Sequence, residues 1–334
     1  MNNHGYVMSL TSFLLVIPAF LLIIIFINMS VGFTSFQETI LVSDDVSGVS
    51  KDLQSQIPKI GREVLKDKSE EVIKSGNPLS NSREEIKNEI QDRINVWSLK
   101  YNHDQIDVHC DVLDVDNSQD PFQIEIKSII NVQKDEIKHS VNLIQKISLI
   151  NESFPIMDPL PFLKCKKYGG ATIGKDKIMY GSSLSEYLKS SGFNNSQAYE
   201  NAISPLFIKK CPYDPYELHG STSDFVNLKN CIDNGFYHES NDGACFFCRL
   251  EGRGVCPHYG FETFILPAPS VNITPSNNSS KLGISSVDHV IFNETSFGAY
   301  YGHLIVYSFD ESHYFYIFLD NSHRKKYGLP PHGG

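Results

Sequence analysis

The chain has 334 residues, enough for about two domains. With 20% charged and 41% hydrophobic residues it is neither a disordered tail nor a fibre. A net charge of −10 excludes a general attraction to phosphate backbones and a polybasic membrane patch, so no nucleic acid partner is expected.

The first predicted element is apolar. No charged residue occurs from Tyr6 to Met29, and Phe13 to Ile27 reads FLLVIPAFLLIIIFI. Such a run is the pattern of a transmembrane helix, kinked at Pro18. Residues 1–30 are therefore expected to be a single-pass anchor, with the lipid bilayer as partner through residues 6–29. A cleaved signal would bring a basic leader and a small-residue cleavage site. Neither is present. The positive-inside signal is nearly silent, since the first basic residue is Lys51. Glycosylation-type sequons at Asn28, Asn151, Asn194, Asn272, Asn277, Asn278 and Asn293 favour an extracytoplasmic body on the cell membrane.

His4-Gly5, followed by Tyr6-Val7-Met8-Ser9-Leu10 and the apolar rod, resembles the N-terminus of type IV pilin-like and TadE-like surface proteins. The resemblance covers the N-terminal segment alone. It implies processing at Gly5 and assembly through the helix. The sequence departs from that class at Leu10, where the class carries Glu, and in having no Lys or Arg before Gly5.

The body reads as α+β, with a helix-then-antiparallel-sheet module over residues 31–153. Val49, Leu53, Ile57, Ile60, Val64, Leu65 and Val72 recur at helical spacing, with Pro58 expected to kink or divide the helix. Gly76-Asn77-Pro78 is a stop. Asn81 or Ser82 caps a second helix whose stripe is Ile86, Ile90, Ile94 and Trp97, the last a core anchor. The period then changes to two. Ile106 to Val112, Phe122 to Lys127 and Ile137 to Leu143 alternate as three strands of a meander.

The proline-rich stretch 154–161 marks a boundary. Residues 154–334 are expected to form a Cys-rich irregular module with C-terminal β-strands at 287–292, 300–309 and 314–319. Ser183 to Ser190 has the length and pattern of a short helix, and 267–281 reads as an exposed linker.

Six of the seven cysteines lie between Cys165 and Cys256. Cys231, Cys245-x-x-Cys248, Cys256 and His258 have the residue types of a tetrahedral zinc site, because a C-x-x-C knuckle supplies two thiolates from one tight turn. Disulfides are the favoured alternative, with Cys165 and Cys211 close enough to pair, and a redox pair at Cys245 and Cys248 is a third. The cofactor expectation is none, or a structural zinc. No catalytic residue is assigned. His289, His303, His313 and His323 are candidates to meet in space, although a surface histidine accounts for each. The terminal tyrosines and phenylalanines suit a protein or carbohydrate partner. The function expected is a structural, pilin-like or adhesive role; the alternative is a membrane-anchored metal-dependent hydrolase using the Cys/His segment and the C-terminal histidines.

Overall fold

A computed structural model describes residues 4–150, 153–193, 196–213, 219, 225–266, 287–293, 303–310, 313–319 and 321–329. Of these, 4–15, 33–36, 38, 39, 102–104, 225, 226, 303–310 and 313–318 are described by backbone alone. The expected linker 267–281 and most of the sequons lie outside the described residues.

The protein is α+β. Helix α1 (His4–Ser75) is followed by α2 (Ser82–Ser98) and then strands β1 (Asp107–Asn117), β2 (Gln123–Lys134) and β3 (Ile137–Ser148), which form a sheet in the order β1-β2-β3. Next come α3 (Leu160–Cys165), β4 (Thr172–Ile173), β5 (Lys177–Met179), α4 (Ser183–Ser190) and β6 (Ile203–Pro205), with β4, β5 and β6 in a small antiparallel sheet. The chain continues through α5 (Phe225–Asn234), β7 (Tyr237–Ser240), α6 (Phe246–Leu250) and β8 (Gly260–Thr263). It closes with α7 (Asp288–Ile291), β9 (His303–Asp310), β10 (His313–Leu319) and α8 (Asn321–Lys326). Strands β7 and β8 pair antiparallel, as do β9 and β10.

The expected N-terminal transmembrane helix is corrected. Among the described residues no helix is long and apolar enough to cross a membrane. The apolar residues open one continuous helix that runs on to Ser75 through Glu38, Asp44 and Asp45. The side chains of residues 6–15 lie outside the described residues.

Pro58 does not divide α1. A proline removes one backbone donor, and Leu53, Ile57, Ile60 and Val64 are buried on both sides of it, so the packed face carries the helix through. Gly61 sits on that face because a Cβ there would lie 2.3 Å from Ile147 Cδ1 and 2.9 Å from Ile126 Cδ1. Asn81 caps α2, with Oδ1 accepting from the Glu84 amide at 3.3 Å, and Glu85 Oε1 reaches back to the Asn81 amide at 3.3 Å. Ile86, Ile90 and Ile94 are buried, whereas Trp97 is half-buried. Residues 287–292, read as a strand, instead form α7; four apolar residues at 287 and 290–292 do not distinguish the two periods.

Contacts divide the chain into two units. The first is Met1–Ser55, Ser98–His109 and Ile130–Val141, tied by Lys134 to Asp45 at 2.7 Å and by Tyr101 to Asp52 at 2.5 Å. The second is Gln56–Trp97, Cys110–Ile129 and Asn142–Gly334. Its core includes one cluster built on Leu160, Cys165, Ile178, Leu184 and Tyr199, and another built on Cys211, Leu228, Cys231, Phe264 and Tyr327.

Candidate metal centres

Three groups of side chains converge in the second unit. Each offers ligand atoms that all lie within 4.8 Å of one another. They are Cys211, His219, Cys231 and His238; Cys245, Cys248, Cys256 and His258; and Glu262, His289 and His323. The first two can hold a metal ion such as zinc.

The first set is assembled by the end of α5. Cys231 lies on that helix, which stops at Gly235 with φ +62°. The Phe236 amide donates back to the Cys231 carbonyl at 3.0 Å, and the chain turns directly into β7. His238 follows on β7. Cys211 is placed beside it because its amide donates to the Tyr237 carbonyl at 2.9 Å. His219 is held by Asn227, whose Nδ2 donates to its carbonyl at 2.9 Å. His219 Nε2 then stands 3.3 Å from both Cys211 Sγ and Cys231 Sγ, and the two sulfurs are 3.7 Å apart. All four side chains are buried. Hydrogen bonds from Cys231, and behind it His219 and His238, hold the Cys211 thiol down at about 3 against the opposing effect of burial.

The second set is built on α6. Cys245 precedes the helix in extended conformation and Cys248 lies one turn on, with sulfurs 3.3 Å apart. Gly252, φ +74°, ends the turn and sends the chain back to Cys256 and His258. His258 Nδ1 is 3.6 Å from Cys245 Sγ and 3.5 Å from Cys248 Sγ. Cys256 Sγ accepts the Cys245 amide at 3.3 Å. Hydrogen bonds from Cys245 and Cys248 hold Cys256 far below the ordinary thiol range, while Cys248 is pushed far above it. The site is backed by a tight backbone crossing. A Cβ on Gly260 would lie 2.4 Å from the Gly243 carbonyl oxygen, and one on Gly243 would lie 2.2 Å from the Phe261 carbonyl oxygen.

Strand alternation gives the β7–β8 ribbon two different faces. The register opposes His238 to Glu262 on one face and Tyr237 to Thr263 on the other. On the second face Arg249, fully buried, bridges Asp158 and Asp288 at 2.6 Å each and donates to the Phe261 carbonyl at 2.8 Å. Asp288 also accepts the Thr263 amide at 3.1 Å. On the first face Glu262 meets His289 Nδ1 at 3.3 Å, His323 Nε2 at 3.2 Å and Lys326 Nζ at 3.1 Å. Burial raises the Glu262 pKa, but the charges of His323, Lys326 and His289 more than offset it and hold the carboxyl ionised. Burial lowers the pKa of His289.

The sequence placed Cys231 with Cys245, Cys248, Cys256 and His258. The structure brings the last four together and puts Cys231 in the other set, because α5 delivers it to Cys211 and His238. His219, His238 and Glu262 were missed. The spacing Cys211-x7-His219-x11-Cys231-x6-His238 contained the signal, but without a C-x-x-C knuckle. The expected disulfides are corrected as well. All seven cysteines are free, and the 3.3 and 3.7 Å sulfur separations are far from the ~2.05 Å of a bond. Cys165 packs with Leu160 and Leu184, in a different core cluster from Cys211. His289 and His323 are buried rather than surface residues. The side chains of His303 and His313, and those of the terminal aromatic strands before Leu319, lie outside the described residues.

Comparison with known proteins finds no matching family model, curated protein or solved structure.

Proposed function

We propose that the protein has a structural role and that two zinc ions brace its Cys-rich module. The observation that carries this reading is the pair of four-ligand Cys/His sets. Two thiolates at ~2.3 Å from a tetrahedral ion stand about 3.7 Å apart. The sulfurs of the first set are separated by 3.7 Å. A site with four protein ligands has no position left for substrate, which is the coordination of structural zinc.

Charge supports the same assignment. Zinc with two thiolates and two imidazoles is neutral, and that set is the fully buried one. Zinc with three thiolates and one imidazole carries one negative charge, and that set is partly exposed, in the field of two arginines. Arg83, stacked on Phe247 at 4.7 Å, feels the charges of Cys245 and Cys248; Arg253 feels those of Cys248 and Cys256.

The test is metal analysis of the full chain purified under reducing conditions. At least two zinc ions per chain are expected. C211S and C248S should each lose one, and Co2+ replacement should give sulfur-to-cobalt charge-transfer absorption from both sets. A wild-type chain without thiolate-bound metal removes the reading.

A further inference from the structure

The third cluster differs from the other two. It has no sulfur, offers three ligands among the described residues rather than four, and draws them from three separate elements: β8, α7 and α8. Two imidazoles and a carboxylate suit a borderline divalent first-row ion. Ligand atoms about 2.1 Å from such an ion lie roughly 3.0–3.4 Å from one another. His289 Nδ1 stands 3.3 Å from Glu262 Oε2 and His323 Nε2 3.2 Å from Oε1, so each imidazole lies in that range from one oxygen of a carboxylate that can bind through both. The imidazole rings of His289 and His323 are 5.7 Å apart and tilted by 32°, flanking the carboxylate.

We propose that Glu262, His289 and His323 form a third metal centre, for a divalent first-row ion that keeps at least one coordination position for water. This goes beyond the two structural zinc sites and does not depend on them. Three protein ligands with a water in the remaining position is the coordination of hydrolytic zinc.

Two features of the surroundings fit. One divalent ion with Glu262 leaves a single positive charge. The neighbouring Arg249 network has two carboxylates, Asp158 and Asp288, on one guanidinium, a formal surplus of one negative charge. Asp288 immediately precedes His289, and it binds the amide of the residue after Glu262. One buried side chain thus pins the backbone beside Glu262 and belongs to the residue next to His289, which fixes where two of the three ligands start. Lys326 Nζ, on Glu262 Oε1, competes with the ion for the carboxylate. It is the one partly exposed member of the group, and its long stem lets it swing toward water when an ion enters.

The experiment is Co2+ titration of the full chain, followed by absorption. Three ions per chain are expected, only two of them contributing sulfur-to-cobalt charge transfer. E262Q and H323A should bind two, with the charge-transfer absorption intact. Because E262Q is isosteric, it answers the question if H323A fails to fold. K326M should tighten the third ion by about tenfold or more, the scale of outer-shell effects. Azide added to the wild-type protein should change the d–d spectrum of the third ion. Saturation at the two sulfur sites, three ions retained by E262Q, or no change in third-ion affinity in K326M would overturn the centre. An azide-insensitive third ion would overturn its open position. Loss of charge transfer with the third ion retained would instead count against the structural zinc sites alone.

Discussion

Arg249 and Asp288 form an ion pair 2.6 Å long in which neither side chain is more than 2% exposed. The pair joins α6, which holds Cys248, to α7, which holds His289. A buried guanidinium survives only when its charge and its donors are matched. Here Asp158, Asp288 and the carbonyls of Ala244 and Phe261 match them, with the Phe261 ring 4.6 Å below.

Removing that guanidinium leaves two buried carboxylates without it. Arg249→Met should cost about 3–5 kcal/mol, the usual result of breaking a buried pair from one side. Arg249→Lys should recover only part, because an ammonium lacks the planar fork that reaches both carboxylates. Denaturant unfolding of the metal-loaded chain measures both. A loss under 1 kcal/mol for either variant would show that the network is not needed.

Asp288→Asn keeps the shape and removes the charge. Its expected effect is on the third centre, where affinity should fall about 10–100-fold. The charge-transfer absorption of the two thiolate sites should be unchanged. A general loss of both signals would mean that Asp288 supports the fold and does not position His289.

Gly260 is a site of backbone contact, and a methyl group there meets the carbonyl of Gly243, which has no flexible end to move aside. Gly260→Ala should destabilise the second unit by about 1–3 kcal/mol and weaken metal binding at Cys245, Cys248, Cys256 and His258. Gly48→Ala is the contrasting case. Nothing lies within 4 Å of a Cβ there, inside α1, so it should add about 0.5–1 kcal/mol. Thermal melts of the two variants should move in opposite directions.

Burial pushes the thiols of Cys110 and Cys165 up to about 12 each. Both groups are held neutral, so the folded state binds more protons than the unfolded one above about pH 8.5. Their contribution to stability is fully present below that pH and declines as pH rises toward 12. The Cys110→Ala/Cys165→Ala chain should therefore show a shallower fall of stability between about pH 8.5 and 10, where buried tyrosines do not yet contribute. Equal slopes for the two proteins would contradict this.

What the sequence made legible follows from distance along the chain. The α1 and α2 stripes repeat over several turns and the three long strands alternate over six or seven residues each, so their periods were readable, and Leu53, Ile57, Ile86 and Ile126 are buried as the periods require. The knuckle at Cys245 and Cys248 was readable because one turn of backbone suffices to make it. Cys211 and His238 were not, since their meeting depends on where α5 ends and on a pairing across the ribbon. Glu262 looked like an ordinary strand carboxylate, and its place beside His289 and His323 appears only when α7 and α8, remote in sequence, meet it.

The order of the three ligand sets along the chain has a consequence for how the protein is made. Residues 211–238, 245–258 and 262–323 follow one another without interleaving. As a nascent chain emerges N-terminus first, each set is complete before the first ligand of the next appears. A thiolate of the first set can meet its own partners before any competing thiolate of the second exists outside the ribosome. Assembly after synthesis would have to sort five ligand cysteines at once, and the sequence order reduces that problem to two cysteines followed by three.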